Sequence, residues 1–168
     1  MDSNMLPDKP RHASHALPRS NDDACLDGAH ILLVEDNRVN QMVLMEMLVA
    51  EGAKVELAND GREAIEKATT GHYDLVLMDM QMPCMGGVEA TRHLRRQPKL
   101  DQVPIVALTG NIDPSAQTEC EAAGMNGFLP KPISPSQLYA ALRYFLGQRK
   151  RGYGGRNDTA DRPLGTDR

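Results

Sequence analysis

The sequence predicts an α/β protein of five strand-helix units wound on both sides of one parallel sheet. Three observations carry this. Five short runs dense in Val, Ile, Leu or Met alternate with longer segments of helical periodicity, as strands covered on both faces should. Glycines stand where the helical segments stop. Four of the apolar runs pass straight into a charged or hydroxyl residue: HILLVED (30–36), YDLVLMD (73–79), VPIVALT (103–109) and FLPK (128–131).

The first strand is expected near residues 30–35 and its helix over about 38–51, where Val43, Leu44, Met47 and Leu48 make the core-facing stripe and Gly52 the C-cap. A second strand falls near 54–58, and the helix after it stops at Gly71. The third strand, 74–79, leads into a turn containing Pro83, Gly86 and Gly87 before the third helix. The fourth strand lies near 103–108, with its helix ending at Gly124, and the fifth near 126–130. In the last helix Ser134 and Gln137 have capping-box spacing, and Leu138, Leu142 and Phe145 share one face. Short units with right-handed crossovers lead to a flavodoxin-like sheet order of 2-1-3-4-5.

At 168 residues and 40% hydrophobic content, the chain suits one domain with one core. Residues 1–28 and 148–168 are polar, lack periodicity and read as disordered tails around a domain at 29–147. The net charge of −4 predicts no nucleic-acid surface, and the cluster Arg149, Lys150, Arg151 reads as a solvated linker. No apolar run approaches the roughly 18 residues of a membrane span, and the N-terminus lacks a secretory pattern, so the expected location is cytoplasmic. Cys25, Cys84 and Cys120, odd in number and irregularly spaced, read as reduced thiols.

A parallel sheet gathers the carboxyl ends of its strands along one edge, so Glu35, Asp36, Asp79, Thr109 and Lys131 should meet in one crevice. Three carboxylates against one ammonium either raise a carboxyl pKa or recruit a cation. An all-oxygen set without histidine or thiolate points to Mg²⁺.

Four segments at those strand ends, VEDN (34–37), DLVLMDMQMPCMGG (74–87), ALTG (107–110) and GFLPKPIS (127–134), together resemble the receiver domain of two-component response regulators. The wording is most similar to receivers associated with hybrid histidine kinases, and the likeness spans roughly residues 29–147. The resemblance implies that Asp79 accepts a phosphoryl group, a role carboxylates are known to fill. It implies that Glu35, Asp36 and Asp79, with the backbone carbonyl of Gln81, hold Mg²⁺, and that Lys131 and Thr109 contact the phosphoryl oxygens. It implies a switch made of Thr109 and Phe128, and a Lys131–Pro132 bond that is often cis in the family. Phe128 stands where many relatives have Tyr, and Gly110 where Ala is usual.

The implied protein phosphorylates and dephosphorylates itself and is not a conventional enzyme; its implied partner is a histidine kinase or histidine-phosphotransfer protein, with the receiver a monomer or weak dimer. About 22 residues follow Leu146, too few for an effector with its own core, so a stand-alone regulator or phosphorelay intermediate is expected. The alternatives are a receiver excised from a hybrid histidine kinase and an unphosphorylated interaction module. On the first helix Met42, Met45 and Val49 lie off the expected core stripe, which marks Met42 and Met45 as a docking surface for the partner. A flavin or nucleotide site would need a Gly- or Ser/Thr-rich cradle after the first strand, where EDNRVN is acidic. A haloacid-dehalogenase-type phosphatase would need a second Asp where Gln81 stands.

Overall fold

The computed structural model describes residues 26–110 and 113–153; Cys25 and most of both expected tails lie outside these. Its elements run β1 (His30–Val34), α1 (Arg38–Ala50), β2 (Lys54–Ala58), α2 (Gly61–Thr70), β3 (Leu75–Asp79), α3 (Gly87–Arg95), β4 (Ile105–Thr109), α4 (Pro114–Ala123), β5 (Gly127–Pro130) and α5 (Pro135–Tyr153). The sheet order is β2-β1-β3-β4-β5, all parallel, as the sequence predicts. Among the described residues no helix is long and apolar enough to cross a membrane.

Alternation along the strands divides the core in two. Leu32, Val34, Val76, Met78, Ile105 and Ala107 pack with Ala64, Ala68, Ala90 and Leu94 of α2 and α3. Ile31, Leu33, Leu75, Leu77, Val106 and Leu108 pack with Leu44 and Leu48 of α1 and Leu138, Leu142 and Leu146 of α5. Leu26, inside the stretch expected as a tail, is fully buried in this second cluster, and α5 continues past residue 147 to Tyr153.

Two local expectations need correction. Val43 is not in the core: it is 45% exposed, and α1 buries Gln41, Leu44 and Leu48, with Met47 partly buried. The helix is rotated so that the i, i+3, i+7 row at 41, 44 and 48 faces the sheet, and that row includes a glutamine that hydrophobicity alone does not select. Gly71 caps α2 as expected, with φ −82°, and a Cβ there would lie 2.6 Å from the Tyr73 hydroxyl. The capping box of α5 is half formed: the Gln137 N–H donates to Ser134 Oγ at 3.3 Å, while that hydroxyl donates to Gln137 Oε1 at 2.8 Å.

One buried group lacks a partner among the described residues. Thr91 of α3 is fully buried and its hydroxyl makes no hydrogen bond. An unpaired buried hydroxyl costs about 1–3 kcal/mol, and Thr and Val have similar helix propensities. Thr91→Val should therefore raise stability by about 1 kcal/mol, seen as a higher urea midpoint at unchanged m-value. A lower midpoint would show that the hydroxyl is satisfied in solution.

Candidate functional site

Strand register explains how the crevice assembles. Val34 pairs with Met78, so Glu35, one residue past the end of β1, emerges beside Asp79, the last residue of β3. Asp79 pairs with Leu108 and Thr109 with Pro130, which puts Lys131 just beyond the end of β5. β4 separates Asp79 from Lys131, a gap of two strand spacings or about 10 Å, and only a long side chain bridges it. Glu35, Asp79 and Lys131 also share the strand parity of Leu33, Leu77 and Leu129, the residues facing α1 and α5.

The lysine does reach across. Lys131 Nζ lies 2.9 Å from Glu35 Oε2 and 3.0 Å from Asp79 Oδ2. Carboxylate oxygens of Glu35, Asp36 and Asp79 fall within 4.8 Å of one another, with Glu35 and Asp79 buried and Asp36 exposed. The N–H of Gln81, itself exposed, donates to Asp79 Oδ1 at 3.1 Å. Thr109 is buried at the end of β4, and its carbonyl accepts the Lys131 N–H at 2.8 Å. The Lys131–Pro132 bond is cis. The third helix comes close to the acceptor: a Cβ on Gly87 would lie 2.4 Å from the Asp79 carbonyl oxygen, so only glycine lets the α3 N-terminus sit there.

Burial pushes the Asp79 pKa up, and the Glu35 charge adds to the rise; the hydrogen bonds from Lys131 and Gln81 only partly offset it. For Lys131 burial acts to lower the pKa, but hydrogen bonds to Glu35 and Asp79 outweigh it and hold the ammonium above its usual value. The Asp79 charge is thus a net cost in the metal-free fold. Its carboxyl adds stability below the unfolded pKa of about 3.9 and loses it as pH rises through the raised folded value. In EDTA, Asp79→Asn should match wild type in melting temperature at low pH and exceed it by several degrees at neutral pH. A constant difference across that range would contradict the sign.

Around Glu35 is a set of polar residues that the strand-end motifs do not single out. Asn37, and neither Glu35 nor Asp36, caps α1, its Oδ1 accepting the N–H groups of Val39 and Asn40. Glu35 Oε1 accepts the Asn37 N–H at 3.2 Å and Asn40 Nδ2 at 3.1 Å. Gln41 Nε2 donates to the Glu35 carbonyl at 2.5 Å and to Asn59 Oδ1 at 2.9 Å. The sequence carried no sufficient signal for Gln41, since α1 also holds Arg38, Asn40 and Glu46 and its buried row is set by packing.

The remaining expected residues lie around the crevice. Phe128 on β5 is 39% exposed. On α1 Val39 and Met42 are exposed, and Met45 is half-buried. Val43 and Leu44 join Pro132, Ile133, Asn40, Glu35 and Lys131 in lining a cleft of about 170 Å³.

The donor set fits a hard divalent cation: three converging carboxylates, no nitrogen or sulfur donor, and an excess of negative charge over the single lysine. The family model for the response regulator receiver domain matches residues 31–143. The osmosensing histidine protein kinase SLN1 of Saccharomyces cerevisiae is 43% identical over 130 residues, which cover 74% of this chain and 11% of that protein. The chain thus spans only about a tenth of that relative's length. The receiver domain of sensor histidine kinase PA1611 from Pseudomonas aeruginosa, with a magnesium ion in its active-site cleft, superposes with TM-score 0.68 at 42% identity, over 71% of this chain and 98% of that one. The receiver domain of Saccharomyces cerevisiae Ssk1, solved with the histidine phosphotransfer protein Ypd1, is also similar: TM-score 0.69, 28% identity, 74% of this chain and 92% of that one.

Proposed function

Because the chain belongs to the response regulator receiver domain family, we propose that Asp79 takes a phosphoryl group from a phosphohistidine. The observation that carries this is the Lys131 ammonium, 2.9 and 3.0 Å from the Glu35 and Asp79 carboxylates at the converging ends of β1, β3 and β5. An Asp79 oxygen attacks phosphorus, the P–N bond breaks, and its electron pair stays with the departing imidazole. Lys131 places positive charge beside the incoming phosphoryl oxygens, and Thr109 offers a hydroxyl from the neighbouring strand end. Glu35, Asp36 and Asp79, with the Gln81 carbonyl, are the residues that would hold Mg²⁺. When bound, the ion supplies charge against the repulsion between carboxylate and phosphoryl group.

The donor is taken to be a histidine kinase or histidine-phosphotransfer domain, since a relative is a histidine kinase and one structural neighbour is held by a phosphotransfer protein. We propose that it docks on α1, where Val39, Met42, Val43 and Val49 are exposed around Glu46, Met45 lies half-buried, and Val43 lines the cleft next to Lys131. Phe128 and Thr109 are assigned to the response, the aromatic ring moving inward as the hydroxyl turns to the phosphoryl group. Incubation with acetyl phosphate and Mg²⁺, followed by intact mass, tests the proposal: one added phosphoryl group is expected, and none would refute it.

A further inference from the structure

We infer that Gln41 is a positioning residue for the acidic pair, and that it acts by holding the plane of the Glu35–Asp36 peptide. The inference rests on the proposed assignment of Glu35 and Asp36 as Mg²⁺ ligands. Gln41 is buried on the row of α1 that otherwise carries Leu44 and Leu48, where an apolar side chain would pack without the desolvation cost of an amide. The amide has two partners. Nε2 donates to the Glu35 carbonyl at 2.5 Å and to Asn59 Oδ1, in the loop after β2, at 2.9 Å. Asn59 is held in turn, because its Nδ2 and backbone N–H both donate to Glu63 Oε2 at 2.7 Å.

Glu35 is restrained at every polar atom. Its N–H donates to the Ala58 carbonyl at 3.1 Å, Oε1 takes Asn37 and Asn40, and Oε2 takes Lys131. Asp36 differs: it is exposed, and among the described residues its side chain has no hydrogen bond. Its place relative to Glu35 therefore comes from the backbone. The peptide is planar, so fixing the Glu35 carbonyl also fixes the direction of the Asp36 N–Cα bond, and the group that fixes that carbonyl is Gln41. Without the amide the plane can rotate, and Asp36 must be ordered when the metal binds. Removing a group that orients a metal ligand typically weakens binding about 10–100-fold.

The test is Mg²⁺ titration by calorimetry on the full chain, comparing wild type with Gln41→Met, Asn59→Ala and Leu48→Ala, each checked for folding by circular dichroism. Gln41→Met should bind Mg²⁺ about tenfold more weakly. Asn59→Ala, which removes one of the two amide contacts, should show a smaller loss of the same sign. Leu48→Ala destabilises the same helix by emptying core volume and should keep wild-type affinity. Wild-type affinity in folded Gln41→Met would overturn the inference, and so would an equal loss in Leu48→Ala, since affinity would then follow stability alone. If Gln41→Met does not fold, Asn59→Ala decides, and unchanged affinity there overturns the inference. Absence of Mg²⁺ binding by wild type would overturn the metal site itself and this inference with it, whereas wild-type binding with unaffected variants leaves the proposed function standing.

Discussion

Asp79→Asn should accept no phosphoryl group from either acetyl phosphate or a phosphohistidine protein, while remaining folded and at least as stable as wild type. The amide is isosteric with the carboxylate but is not a nucleophile, so the covalent step has no acceptor. Two alternative acceptors lie nearby. Glu35 is buried with both carboxylate oxygens engaged, Oε1 by Asn37 and Asn40 and Oε2 by Lys131. Asp36 is exposed and nothing in the described structure points Lys131 at it, the ammonium lying instead at 2.9 and 3.0 Å from Glu35 and Asp79. Intact mass with hydroxylamine treatment checks the result. Full labelling retained in Asp79→Asn would move the acceptor elsewhere and refute the assignment. EDTA should slow the wild-type reaction strongly, because three carboxylates within 4.8 Å then face an incoming anion with only Lys131 to offset them.

Met42→Lys should slow phosphotransfer from a protein donor about tenfold, equivalent to about 1.4 kcal/mol, and leave acetyl phosphate labelling unchanged. Met42 is 72% exposed on α1, so the substitution removes little packing, and Met and Lys have nearly equal helix propensity. A partner covering Val39, Met42 and Val43 would bury that side chain, and an ammonium there would lose its hydration. Met45→Lys is the less clean variant, because the half-buried Met45 should also cost folding stability. The measurement is the rate of transfer from a phosphorylated histidine-phosphotransfer domain, with acetyl phosphate as control. Equal loss with both donors would place Met42 in the machinery of Asp79 and end the docking proposal.

The outline of the fold was legible because each cue was local. Strand runs such as Leu75–Asp79 and Ile105–Thr109 are apolar up to their last residue since both faces of the sheet are covered, and that needs no knowledge of the partner strand. The crevice was legible for a similar reason. Once the strands are parallel, residues immediately after them share an edge, so Glu35, Asp79 and Lys131 could be brought together from their positions alone. The rotation of α1 was not legible. Val43 and Gln41 differ by about 200° around a helix axis, and which of them faces the sheet depends on how the whole helix packs. Hydrophobicity favoured the valine, whereas the fold buried the glutamine because two carbonyl oxygens, from Glu35 and Asn59, were there to receive it.

By itself, then, the sequence determined the alternation of strands and helices, the order of the sheet and the group of charged residues at its carboxyl edge, since these follow from periodicity and from the handedness of crossovers. Only the tertiary structure decided that Lys131 spans β4 to touch Glu35 and Asp79 together, and that Gln41 ties the loop after β1 to the loop after β2. Each of these depends on side chains from segments distant in sequence meeting within hydrogen-bond range. Such meetings are set by packing and register in three dimensions, which no run of neighbouring residues encodes.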